Sequence, residues 1–157
     1  MLAASIGFLA SCACYSVGCH AAARTADGSE RKMSAVEIVP GTSMGMIRIG
    51  TRAADLPNGA TVADSAGQMD GIRFSLAAGV VNDVWIDDIR TFPQEIRLAG
   101  SPVNRKASLD ELKKVFGPCD RVEGVKGGTF FNCRNGMAIG TDPEETGAFV
   151  QLRLKPR

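Results

Sequence analysis

Histidine is almost missing from this sequence. The 157 residues hold one, His20, and no histidine follows residue 36. Without imidazole the chain beyond residue 36 lacks the side chain that titrates nearest neutral pH, the usual base beside a nucleophilic Ser or Cys, and the commonest metal ligand. A surplus of either charge is missing too. Lys and Arg number 18 against 17 Asp and Glu, for a formal net charge of +1. That balance argues against a nucleic-acid binder, which carries a basic excess, and against a highly charged disordered chain. No run approaches the roughly 20 apolar residues of a membrane-spanning helix. Glycines Gly124, Gly127 and Gly128 are not followed by Gly-Lys-Ser/Thr, so they make no phosphate loop. What remains is a hydrophobic share of 45%, an ordinary value for a globular chain of one domain or two very small ones.

The first Asp, Glu, Lys or Arg is Arg24. The segment Leu2-Ala3-Ala4-Ser5-Ile6-Gly7-Phe8-Leu9-Ala10 is a short apolar run that ends in small residues, the pattern of a secretory signal peptide. Leu9-Ala10-Ser11-Cys12 resembles the lipobox of bacterial lipoproteins. The resemblance implies residues 1–11 as signal peptide, acylation (palmitate) of Cys12, and a lipid anchor in the bacterial envelope. Ser16-Val17-Gly18-Cys19 is a poorer match, so Cys19 is the lesser candidate. Ala13, rather than Asp, follows Cys12, which by the same resemblance points to the outer membrane, facing the periplasm. Residues 12–35 are rich in small and polar side chains without period and read as a tether.

Residues 36–157 carry the folded pattern, with candidate halves at 46–89 and 95–154. The first half offers a short strand at Met46-Ile47-Arg48-Ile49-Gly50 and a short helix over 52–56, capped by Thr51 and stopped by Pro57. Alternation at Ile72-Arg73-Phe74-Ser75-Leu76 gives a strand. Val80-Val81, a turn at Asn82-Asp83, and Val84-Trp85-Ile86 follow. The second half opens near Glu95-Ile96-Arg97-Leu98. Ser108-Leu109-Asp110-Glu111 is a capping box, and Leu109, Leu112, Val115 and Phe116 form the apolar stripe of the helix it starts. Strands follow at 129–133, 137–139 and 149–154, with Asn135-Gly136 as a hairpin signal. Phe74 to Gly79 and Phe131 to Gly136 share one spacing. The expectation is an α+β fold: an antiparallel sheet with one or two short helices, arranged as a tandem helix–hairpin repeat or, alternatively, as one domain with two similar hairpins.

Arg48-Ile49-Gly50-Thr51 with Ala54-Asp55-Leu56, and Ala107-Ser108-Leu109-Asp110-Glu111-Leu112 with Phe116-Gly117, resemble the small envelope lipoproteins of the SmpA/OmlA (BamE-like) type. Two such units in tandem resemble the β-lactamase-inhibitor-protein fold. The resemblance implies a protein that works by binding other proteins.

Cys119 and Cys133 are the cysteines of the folded part, and in an exported protein they would pair as a disulfide. Two unpaired buried thiols are the alternative. A catalytic thiol has no histidine to activate it. Asp83, Asp87 and Asp88 flank the Trp85 strand, where solvated turn carboxylates are the simpler reading than an acid–base pair. If Val84 and Ile86 face inward, Trp85 faces out and marks an interface; otherwise it is core. The 140–147 loop, with Asp142, Glu144 and Glu145, is acidic and polar and is the second contact candidate; it lacks EF-hand spacing. The expectation is a non-enzymatic binder of an envelope protein, acting as an inhibitor or immunity protein, or alternatively as an accessory of outer-membrane assembly or envelope maintenance. It carries no metal, no small-molecule cofactor and no nucleic acid.

Overall fold

The computed structural model describes residues 35–124 and 128–155. Cys12, Cys19, the signal and nearly all of the tether lie outside those residues.

Two sheets enclose the core. Strands β1 (Val36–Val39), β2 (Ser43–Met44), β3 (Ile47–Arg48), β8 (Ile96–Leu98) and β9 (Ser101–Pro102) form the smaller, in the order β3-β2-β1-β8-β9. Its pairs are antiparallel except β1–β8, where Val36, Glu37 and Ile38 run parallel to Ile96, Arg97 and Leu98. The larger sheet is antiparallel throughout. It contains β4 (Thr61–Ala63), β5 (Ala66–Met69), β6 (Ile72–Ala77), β7 (Val80–Ile86), β10 (Cys119–Glu123), β11 (Thr129–Cys133), β12 (Met137–Thr141) and β13 (Val150–Leu154). The order is β10-β11-β12-β13-β7-β6-β5-β4. Helix α1 (Leu109–Phe116) is the one α-helix among the described residues.

The expected α+β fold with a helix–hairpin repeat is therefore corrected to a β-rich fold. Its first helix shrinks to a 3₁₀ turn, Ala53–Asp55, without buried residues. Arg52 rather than Thr51 precedes that turn, and no side chain caps it. Three residues before Pro57 cannot close a helical turn and bury an apolar stripe. The Gly- and Ala-rich stretch beyond it forms β4 and β5 instead. The spacing shared by Phe74–Gly79 and Phe131–Gly136 equates unlike hairpins. The first is β6–β7, the third and fourth strands of one meander; the second is β11–β12, the second and third of the other. What the halves have in common is a four-stranded meander, and the two meanders join where β7 pairs with β13.

Residues Val80–Ile86 are also one strand, not two strands around a turn. Asn82 accepts a hydrogen bond from Ser75 Oγ at 2.9 Å, so the polar pair is satisfied across the ladder. The irregularity falls opposite, between Ser75 and Leu76. The two-residue loop Ala78-Gly79 places both residues at positive φ, 50° and 75°, as a tight turn between right-twisted strands requires. Helix α1 forms as its capping box dictates. Ser108 Oγ accepts from the Glu111 amide at 3.3 Å, and the Ser108 amide donates to Glu111 Oε2 at 2.7 Å. Leu109, Leu112 and Phe116 are buried, whereas Val115 leaves the expected stripe and is 49% exposed.

One face of the larger sheet is core. Phe131, Ile139, Leu152 and Ile86 lie in register on it, together with Val84 and Phe74, and all are buried. Ile38, Met44, Ile47 and Ile96 of the smaller sheet and Leu112 and Phe116 of α1 belong to the same cluster.

Candidate functional site

Alternation along each strand turns the neighbours of those core residues to the opposite face. The registers line up one residue from every strand of the larger sheet. The row runs Thr61, Gln68, Arg73, Trp85, Arg153, Ala138, Asn132, Asp120. Thr61, Gln68, Arg73, Arg153 and Asp120 are exposed, Trp85 and Asn132 are half-buried, and Ala138 is buried. At about 4.8 Å between strands, the row is roughly 34 Å long.

Trp85 is at its middle and is held from several directions. Its indole N–H donates to Asp87 Oδ1 at 2.8 Å. Arg73 Nη1 lies 3.0 Å from the other oxygen of Asp87. The Arg153 guanidinium sits 5.8 Å from the Trp85 ring centroid, within cation–π range. Arg153 in turn donates from Nε to Asp83 Oδ1 at 2.8 Å and from Nη2 to Asp83 Oδ2. This two-pronged pairing keeps Asp83 buried without leaving its charge uncompensated.

Two grooves lie on either side of the Trp85–Arg153 ridge. One, of about 480 Å³, is lined by Thr61, Ala63, Gln68, Arg73 and Trp85 among others. The other, of about 450 Å³, is lined by Val122, Phe130, Asn132, Ala138, Arg153 and Lys155 among others. Phe130 of the second groove sits in a cradle that only glycine leaves open. A Cβ at Gly124 or at Gly140 would come within 2.8 Å of its ring.

The acidic loop is elsewhere. Gly147, within it, approaches the start of α1, where a Cβ would sit 3.7 Å from Leu109 Cβ, and its carbonyl accepts from Arg90 Nε at 3.0 Å. Helix α1 packs on β11 through the core face, so the loop and Trp85 are not one site. Asp142 works inward. It accepts from the Thr146 and Gly147 amides at 2.9 and 3.2 Å and from the Thr141 and Thr146 hydroxyls at 3.1 and 3.0 Å. The Thr146 amide, first among these, holds its carboxyl below the usual carboxylate range. Glu145 pairs with Arg121 Nε at 2.6 Å, and that hydrogen bond raises the guanidinium pKa further. Glu144 is exposed.

Asp83 and Asp87 are not free turn carboxylates. Both serve the Trp85 centre, and Asp88 accepts from the Arg90 and Val150 amides at 3.0 and 3.2 Å. Arg73, Arg153, Gln68 and Asn132 were not singled out by the sequence reading. Their signal was there in the alternation: Arg73 stands between Ile72 and Phe74, and Arg153 between Leu152 and Leu154. Cys119 and Cys133 form a disulfide between directly opposed positions of β10 and β11. Among the described residues no three His, Cys, Asp or Glu side chains are grouped to hold a metal ion. No helix among them is long and apolar enough to cross a membrane.

Comparison of the chain with protein-family models, with curated proteins and with solved structures finds no match. The class stated from the chain itself is thus a disulfide-linked β-rich protein with an exposed, Trp-centred sheet face.

Proposed function

We propose that this protein is a non-enzymatic, exported lipoprotein that binds a protein partner in the periplasm as an inhibitor or immunity-type protein, through the open face of its larger sheet. One observation carries the reading. Trp85 is anchored by its hydrogen bond to Asp87, which Arg73 also pairs, and lies beside the Arg153 guanidinium, at the middle of a mostly exposed row. Tryptophan and arginine in a pre-arranged, partly desolvated setting are the residues that dominate binding energy at protein interfaces. The disulfide suits an oxidising compartment, and the lipobox at Cys12 supplies the anchor. Asp142 and Glu145 are engaged in holding their own loop, which leaves the Trp85 face as the better contact surface.

Affinity capture from envelope extracts, with the wild-type chain and Trp85→Ala side by side, tests the proposal. The expected result is a partner retained by the wild type and lost by the variant, at unchanged circular dichroism. Equal capture by both would remove Trp85 from the interface. Mass spectrometry of membrane-extracted protein is expected to find acyl chains on Cys12; an intact Met1 would overturn the anchor.

A further inference from the structure

We propose that the cross-strand row from Thr61 to Asn132 is a track for a neutral oligosaccharide lying across the strands. This goes beyond the protein-partner reading and does not rest on it. The row has one side chain per strand, at a spacing of about 4.8 Å, close to the length of one pyranose residue along a glycan chain. Its chemistry is that of hydroxyl recognition. Gln68 and Asn132 each offer a paired donor and acceptor, Arg73 and Arg153 offer further N–H donors in a fixed plane, and Thr61 ends the series with a hydroxyl. Adjacent sugar hydroxyls, each donor and acceptor at once, match such paired groups.

Charge is compensated where it is densest. The two cations at the centre, Arg73 and Arg153, are matched by the two anions Asp87 and Asp83. The centre therefore offers hydrogen bonds without net charge and does not select an ionic ligand. Those ion pairs also fix the donors in place before anything binds. The Trp85 N–H is already spent on Asp87, so what the indole presents to a ligand is carbon, as required for packing against the C–H face of a sugar ring. The grooves of about 480 and 450 Å³ flanking the ridge leave room for ring substituents on both sides. The row itself has no exposed aliphatic side chain.

Trp85 is the single tryptophan, so its emission reports directly from the middle of the track. The full, disulfide-intact chain is titrated with a neutral β-linked N-acetylglucosamine hexamer, with the dimer, and with the fully deacetylated cationic hexamer. The expected result is a saturable emission change with the neutral hexamer, about tenfold tighter than with the dimer, and no preference for the cationic chain. Gln68→Ala and Asn132→Ala, on opposite sides of Trp85 toward the two ends of the track, each weaken the hexamer by roughly two- to tenfold, one hydrogen bond's net worth. Lys114→Ala on the helix changes nothing. Raising salt from 0.1 to 1 M shifts affinity less than about twofold, since no net charge is being screened. Absence of a saturable response overturns the proposal, as does a response indifferent to both Gln68→Ala and Asn132→Ala or one that salt abolishes. If the hexamer gives no response while Trp85-dependent capture of a protein persists, the track is overturned and the protein-partner reading stands.

Discussion

A methyl group on Gly67 would lie 2.4 Å from both Phe74 Cζ and the Thr61 carbonyl oxygen. Neither can give way, because Phe74 is fully buried and the oxygen is backbone in the neighbouring strand. Gly67→Ala is therefore expected to destabilise the fold by about 1–3 kcal/mol through overpacking. Gly79 is the contrast. It has nothing within 4 Å but a φ of +75°, so alanine there costs only its conformational strain, about 1 kcal/mol. Urea denaturation of the two variants ranks them, and a milder effect at Gly67 than at Gly79 would contradict the crowding seen there. Asp142 gives a pH-dependent residue effect. Its folded pKa is depressed, chiefly by the Thr146 amide, so in the acid range the unfolded chain binds more protons than the folded one. Its contribution is complete above the ordinary carboxylate pKa and is lost as pH falls through the depressed folded value. Asp142→Asn should flatten the acid limb of stability against pH and leave its shape near neutrality alone. An unchanged acid limb would show that the loop does not depend on this carboxylate.

At the scale of elements, what could be read from sequence divides by whether an element carries its own instructions. Helix α1 does: cap, apolar stripe and terminal glycine all lie within Ser108 to Gly117, and the helix forms there. Strands β6, β11 and β13 are similarly plain from alternation around Phe74, Phe131 and Leu152. Strands β4 and β5 were not, because their residues are mostly small or exposed, Thr61-Val62-Ala63 and Ala66-Gly67-Gln68. They are strands because β6 offers them an edge, not because their side chains demand it. Of the site, Trp85 was legible as an outward candidate between Val84 and Ile86. That Arg73 and Arg153 face outward is legible from the same alternation, but their meeting at Trp85 is not, since 80 positions separate that pair in sequence and only the strand order makes them flank one ring. The edge strand β10 has four exposed residues of five, so its hold on β11 leans on the Cys119–Cys133 link. Reduction is expected to cost about 3 kcal/mol in the chain-entropy picture, for a separation of 14 residues. It should release β10 first. Hydrogen exchange of the reduced protein is then expected to show lost protection at Asp120 to Glu123, with β6 and β7 retained. Uniform loss across the sheet would mean that the link supports the whole fold rather than its edge.

For the whole molecule the decisive feature is that the last strand of each meander pairs with the last strand of the other. Leu152 of β13 faces Ile86 of β7 on one side and Ile139 of β12 on the other. All three are buried in a core cluster that draws on both halves, on α1 and on the smaller sheet. A half containing residues 46–89 alone would expose Val84 and Ile86 along an unpaired edge, the arrangement that single meanders avoid. The two halves are therefore expected to unfold together, in one transition. Trp85 reports the junction by fluorescence and far-ultraviolet circular dichroism reports all strands, and in urea the two curves should coincide. Leu152→Ala removes side-chain volume at the junction and should cost about 2–5 kcal/mol. It should lower both midpoints equally, because no part of the sheet keeps its core once the junction opens. If the circular dichroism of Leu152→Ala showed a second step after the Trp85 signal had finished, one meander would be stable without the other. The molecule would then be two folding units sharing an edge, and the continuous row through Trp85 would exist only while both were folded.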